Sequence, residues 1–193
     1  MFSSMVRQEG AYLLLNESIL TVTQQNQPAL WFGNIIASAD IISSEIVTAS
    51  GILVLANRSQ VTQEFDYFAG YEQNSGILPA EVTLSVSEST LTGDIIAYNE
   101  STISWALGNY SSWTGSAYTM RGGGEIAVSL DATSNWTLTR DTLLQNFTDA
   151  DTSLTNVYSR GHTLYYEANS TANAWLKGKS YQLNGGGKVK PYY

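Results

Sequence analysis

Two aspartates open the stretch "TDADTSL" (148–154), where Asp149, Asp151 and Ser153 supply oxygens at the first, third and fifth positions of a calcium loop. The rest of that pattern is absent. Leu154 stands where the loop needs a glycine, and Arg160 where it needs a bidentate glutamate. Asp149 and Asp151 are carried forward as metal candidates; no cofactor is expected. The single histidine, His162 in "SRGHTL", has no G-x-S-x-G elbow to serve, so it reads as a turn residue before a strand. The glycine runs "RGGGE" (121–125) and "NGGGKV" (184–189) lack the spacing of a phosphate loop and read as strand connections. Asp94 and Asp131 lie in separate regions and form no evident acid/base pair. A catalytic site is therefore not expected.

A different chemistry is written repeatedly. The N-glycosylation acceptor Asn-x-Ser/Thr occurs at Asn16, Asn57, Asn99, Asn109, Asn135, Asn146 and Asn169. Random placement of 13 Asn among 42 Ser and Thr in 193 residues gives about three such motifs. The excess favours a secreted glycoprotein, with turn chemistry, which also selects Asn and Ser, as the competing source. Cysteine is absent, so no disulfide framework constrains the compartment. The start, "MFSSMVRQEG", lacks the layout of a secretion signal, as expected of a processed protein or a piece of a longer chain.

Charge narrows the partners. Charged residues make up 13% of the chain and the formal charge is −8, which disfavours nucleic acid and anionic membrane. All four lysines (Lys177, Lys179, Lys188, Lys190) follow all seventeen carboxylates, giving an acidic body and a basic end. No apolar run reaches the ~20 residues of a membrane span.

The elements that carry these residues repeat. "VTLSV" (82–86), "TISWAL" (102–107) and "IAVSL" (126–130) alternate apolar and small polar residues as half-buried strands do. Val82, Ile103 and Ile126 align, as do Leu84, Trp105 and Val128, and Val86, Leu107 and Leu130. After each strand comes a short polar turn and a second strand, carrying Leu91, Trp113 and Trp136 within "STLTG", "SSWTG" and "SNWTL". Two strands per period of about 22 residues predict a parallel β-solenoid in which equivalent side chains stack inward. "ILVLA" (52–56) precedes "VTLSV" by 30 residues, and "DYFAGYEQNSG" (66–76) accounts for the excess as an inserted loop. Tyr67, Phe68 and Tyr71 in that loop are candidate contact residues. The expected organisation is one all-β domain over 1–193 with a terminal coil at 153–193.

The pattern "STLTGDIIAYNESTISWAL…SSWTG" and the ending "LYYEANSTANAWLKGKSYQLNGGGKVKP" resemble secreted right-handed parallel β-helix proteins of pectate-lyase-like architecture, of fungal and bacterial cell surfaces. The resemblance covers residues 80 to 191 well and the first 79 loosely. It implies a right-handed parallel β-helix in an extracellular, cell-surface setting, and some members bind or cleave acidic polysaccharides. An N-terminal cap normally precedes such coils, and none is evident before "AYLLL" (11–15).

The expected function is a structural or adhesive module of a cell wall or extracellular matrix, binding polysaccharide and assembling head-to-tail through its ends. A polysaccharide-degrading enzyme is the alternative. An ice-binding protein, suggested by pairs such as Thr90 with Thr92, is a minor one.

Overall fold

The computed structural model describes residues 2–3, 11–58, 78–120 and 123–193. Tyr67, Phe68 and Tyr71, with the whole candidate loop 66–76, lie outside the described residues. The chain is an all-β parallel solenoid of about seven turns, about 23 residues apart.

Strand β1 (Phe2–Ser3) comes first, ahead of "AYLLL". The first two full turns are β2 (Ala11–Asn16), β3 (Ile19–Val22) and β4 (Leu30–Gly33), then β5 (Ile36–Ile42), β6 (Glu45–Thr48) and β7 (Ile52–Asn57). The next two are β8 (Glu81–Ser87), β9 (Thr90–Thr92) and β10 (Asp94–Tyr98), then β11 (Ser101–Gly108), β12 (Ser112–Thr114) and β13 (Ala117–Met120). They are followed by β14 (Gly124–Leu130), β15 (Asn135–Thr137) and β16 (Thr142–Leu144), and by β17 (Asn146–Asp149), β18 (Val157–Tyr158) and β19 (Thr163–Glu167). The end departs from the winding: a 3-10 helix, Thr171–Leu176, precedes β20 (Tyr181–Gln182) and β21 (Lys188–Tyr192), which pair antiparallel.

Each turn therefore has three strands where the periodicity predicts two. The first face stacks β2, β5, β8, β11, β14 and β17; the second stacks β3, β6, β9, β12, β15 and β18. The third stacks β1, β4, β7, β10 and β13, and β16, β19 and β21 carry that side onward. The third strand escapes the alternation rule because it is apolar at successive positions, as in Leu30 to Phe32, Leu53 to Ala56 and Ile95 to Ala97. "ILVLA" belongs to this side, paired with β10, and does not precede "VTLSV" on its own sheet. The strand that does is β5, with Ala37 opposite Val82.

The inward columns match the sequence register. Val82, Ile103 and Ile126 are in line, as are Leu84, Trp105 and Val128, all at most 2% exposed. Leu91, Trp113 and Trp136 stack on the second face, extended by Ile46 before them and Val157 after. A lone coil cannot bury these side chains; the next coil, about 4.8 Å away, does so and continues the backbone ladder.

The first residue of "SSWTG" has its own task. Ser44, Ser89, Ser111 and Ser134 occupy the corner between the first two faces, each two residues before an inward Ile, Leu or Trp, and each is nearly fully buried. Their hydroxyls accept from the corner amide one turn back: Ser18 N to Ser44 (3.0 Å), Ser44 N to Ser89 (2.9 Å), Ser89 N to Ser111 (3.4 Å) and Ser111 N to Ser134 (3.2 Å). The first three donate in turn to the carbonyls of Ile42, Ser87 and Gly108. A tight corner orphans one amide per turn, and this serine ladder satisfies it, at about 1 kcal/mol net per bond.

Candidate functional site

The first two faces carry small side chains over their middle turns, while their first two turns also present Tyr12, Leu14 and Asp40 on the first face and Ile19, Glu45 and Val47 on the second. On the first, Thr83, Ser85, Ser104, Ala106, Ala127 and Ser129 point outward; on the second, Thr90, Thr92, Ser112, Thr114, Asn135 and Thr137 do. All are exposed or half-exposed, as their phase in the alternation requires.

The third face differs. Its inward column is Leu30, Val54, Ile95 and Ala117, all core residues. The alternate, outward column is Trp31, Leu55, Ile96 and Tyr118. It runs on through Leu143, Tyr165 and Lys190, which are mutually in register on β16, β19 and β21. Trp31, Leu55, Tyr118 and Tyr165 are half-exposed and Leu143 is exposed, while Ile96 is buried. Beside this column Tyr98 stands opposite Met120, and its hydroxyl donates to the Met120 sulfur at 3.5 Å. An aromatic and aliphatic stripe thus follows the long axis of the molecule.

Hydrogen-bonding groups border it. At the corner with the second face, the Asp94 carboxylate accepts from the amide of Ser116 (2.9 Å) and the hydroxyl of Thr139 (3.3 Å). It also pairs with Arg140 at 3.0 Å, whose guanidinium lies 4.8 Å from the centre of the Tyr118 ring. Burial pushes the Tyr118 phenol above its usual range, Arg140 partly opposes that, and Asp94 adds to it. One turn further, Asp141 faces His162 Nδ1 at 3.6 Å and accepts the Thr163 amide at 2.9 Å. At the corner with the first face, Asn99 Nδ2 donates to Asn57 Oδ1 (3.0 Å) and to the Arg58 carbonyl (2.9 Å), and Arg58 pairs with Glu100 at 2.9 Å. An apolar track with polar margins, interrupted at the buried Ile96, is suited to a ligand that is itself apolar on its faces and hydroxylated at its edges.

The seven acceptor asparagines fall into two groups. Asn16, Asn109, Asn135 and Asn169 are exposed. Asn57, Asn99 and Asn146 are half-buried and engaged: Asn57 with Asn99, and Asn146 accepting from the Ser170 hydroxyl at 2.5 Å. The structure brings only Asn57 and Asn99 together among the described residues. Turn geometry accounts for two of the motifs: Asn99 and Asn109 hold positive φ (49° and 51°), and the serines two residues on, Ser101 and Ser111, are fully buried corner groups.

Neither metal candidate presents an open carboxylate. Asp151 closes its own turn, accepting the amides of Ser153 and Thr155 (both 2.9 Å) and the Thr155 hydroxyl (2.5 Å). These bonds, led by that hydroxyl, hold its carboxyl below the usual range. Asp149 is buried. Among the described residues no three His, Cys, Asp or Glu side chains are gathered as a metal site would need.

The stripe was hidden from periodicity because the corner preceding it changes length. Tyr118 lies five residues after Trp113, the inward second-face residue of its own turn, Leu143 seven after Trp136, and Leu55 nine after Ile46. A search keyed to the third strand, with Trp31, Leu55, Ile96 and Tyr118 aligned by their inward neighbours, finds it.

No family model, curated protein or solved structure matches the chain.

Proposed function

We propose that this chain is a non-catalytic extracellular β-solenoid that binds a linear, uncharged polysaccharide along its third face. The observation that carries the reading is the run of solvent-facing Trp31, Leu55, Tyr118, Leu143 and Tyr165 along the third face, beside middle turns of the other two faces that carry small hydroxyl residues. Pyranose rings present apolar C–H faces that pack on aromatic and aliphatic side chains, and their hydroxyls reach sideways to groups such as Asp94, Arg140 and Asn99. An uncharged chain is the better match because the bordering arginines, Arg58 and Arg140, are already paired with carboxylates and the formal charge is −8. The three exposed acceptor asparagines that turn geometry does not account for, Asn16, Asn135 and Asn169, support the extracellular setting. Strand-to-strand fibre growth is not part of this reading, because side chains of the last turn occupy the ladder positions that a second copy would need.

Affinity electrophoresis and pull-down on glucans, xylan, chitin and polygalacturonate test the reading. Retention on at least one neutral polymer is expected, with Tyr118→Ala and Tyr165→Ala each weakening it about tenfold or more, against no change for Thr83→Ala on the first face. Absence of retention on every polymer, or retention indifferent to both tyrosines, refutes it.

A further inference from the structure

The inward column Ile41, Val86, Leu107 and Leu130 ends on a carboxyl. Asp149 is the next residue in register, and it is 7% exposed. An ionised carboxylate at a core position has to be compensated fully, and this one is not. Its Oδ1 accepts from the Asp151 amide (2.9 Å) and from Asn156 Nδ2 (3.1 Å), while its Oδ2 is shielded from solvent with no partner.

Asn156, 6% exposed, is in the mirror-image position. Its Nδ2 also reaches the carbonyls of Ser134 (3.0 Å) and Asp131 (3.3 Å), which fixes the amide orientation and leaves Oδ1 buried without a donor. Two side chains already bonded to each other therefore carry one orphan acceptor apiece. In the preceding corners the buried group is a serine, which brings its own proton. A carboxylate with a carboxamide is one proton short.

We infer that Asp149 carries a proton in the closed corner, making the loop between β17 and β18 an acid-set latch on the last turn of the solenoid. With Oδ2 protonated, the pair gains the donor it lacks. Without the proton, a charge is left in the core beside Asp131, across the corner from β14, and Asp151 in the same loop, the two charged groups that face it. Leu154 on that loop and Val157 at the start of β18, both core residues, are what the open corner would release. Burial first, then those two carboxylates, push the Asp149 carboxyl up to about 6, against the pull of Asn156 and the Asp151 amide. Because the folded value is raised, the contribution is fully present below about 3.8, the unfolded value, and is lost as pH rises through about 6.

Hydrogen exchange over residues 149–158, corrected for intrinsic rates, tests the latch between pH 4.5 and 7.5. Local opening is expected to rise across that range by up to about thirtyfold, the part of a shift from 3.8 to about 6 that falls above pH 4.5, while Ser112–Thr114 stays unchanged. Asp149→Asn replaces the missing O–H with N–H donors and is expected to flatten the profile. A flat wild-type profile, or a step that survives in Asp149→Asn, overturns the inference. Carbon-13 titration of the wild-type carboxyl is independent of whether that variant folds: a midpoint near 6 supports the latch and one below 4.5 refutes it. Calcium-induced protection at pH 7.5 that vanishes in Asp149→Asn would put a metal where we place the proton, and would also overturn it.

Discussion

Trp113 and Trp136 lie one turn apart with ring centres separated by 4.7 Å and planes 11° from parallel. Each indole N–H donates to a glycine carbonyl one turn back, Trp113 to Gly93 at 2.8 Å and Trp136 to Gly115 at 2.9 Å. The motif "SSWTG" thus resolves into tasks: Ser111 satisfies a corner amide, Trp113 fills the core and bonds the neighbouring turn, and Gly115 receives the next tryptophan. Trp105, 5.6 Å from Trp113, and Phe147, 6.2 Å from Trp136, extend the rings into a spine. The repeat is kept because each turn's donor and acceptor belong to different copies of it.

Removing one ring should break this coupling at a stated cost. Trp136→Ala is expected to lower unfolding free energy by about 3–5 kcal/mol, from lost burial and the cavity left behind. Trp136→Phe keeps most of the packing but leaves the Gly115 carbonyl buried and unpaired, for about 1–3 kcal/mol. Urea unfolding followed by far-ultraviolet circular dichroism separates the two; a Trp136→Phe variant as stable as wild type would deny the hydrogen bond any role.

Gly115 and Gly51 make a matched test of space against backbone. A Cβ on Gly115 would sit 2.0 Å from the Gly93 carbonyl oxygen and 2.6 Å from Trp113 Nε1, whereas one on Gly51 meets nothing within 4 Å. Gly51 instead holds φ +74°, which strains an alanine by about 1 kcal/mol. Gly115→Ala is therefore expected to be several-fold more destabilising than Gly51→Ala in the same urea assay, and the reverse order would contradict the close approach of the turns.

The parts of the fold legible in the sequence are those where one side chain points in and the next points out. Leu84, Trp105 and Val128 declare themselves this way, and so do Leu91, Trp113 and Trp136. The third strand does not, because its inward and outward residues are both apolar, as in Ile95, Ile96 and Ala97, and nothing in hydropathy alternates. The site lies on that strand, so it was illegible for the same reason: Tyr118 and Trp31 read as core-like aromatics with no period to set their phase. The latch was half legible, since Asp149 follows Leu130 in the column, but only the register shows that its phase is inward. The 3-10 helix Thr171–Leu176 was missed because six residues are too few to express a helical period.

Exposure and hydrogen bonding divide the acceptor asparagines into sites that can carry a glycan and sites that hold a corner. Expressed in a glycosylating eukaryotic host, Asn16, Asn109, Asn135 and Asn169 are expected to be occupied. Asn99 is expected to stay bare, because its amide nitrogen, the atom a glycan would take, is committed to Asn57 and the Arg58 carbonyl. Peptide mapping after enzymatic deglycosylation in heavy-oxygen water reads each site directly. Occupancy at Asn99 matching that at Asn135 would show that folded-state bonding has no say.

The solenoid's last turn ends its first face with side chains where a strand would otherwise be needed. Asn173 Oδ1 accepts the Phe147 amide at 2.7 Å, and its Nδ2 donates to the carbonyls of Gln145 (2.9 Å) and Glu167 (2.7 Å). Trp175 Nε1 takes the Phe147 carbonyl at 2.8 Å, and its ring packs 5.8 Å from that of Phe147. One carboxamide, 1% exposed, thus imitates the donor and acceptor of the next strand beside β17. Asn173→Ala leaves the Phe147 amide and the Gln145 carbonyl without partners, each worth about 1–3 kcal/mol when buried, while the Glu167 carbonyl keeps the Ser170 amide at 3.3 Å; it also uncovers a parallel edge. Loss of several kcal/mol in urea unfolding is expected, together with association that grows with protein concentration in light scattering. Asn173→Asp should do no better at neutral pH, since a carboxylate accepts from Phe147 but cannot donate to either carbonyl. A monomeric Asn173→Ala variant within about 0.5 kcal/mol of wild type would mean that the edge is closed by something other than this side chain.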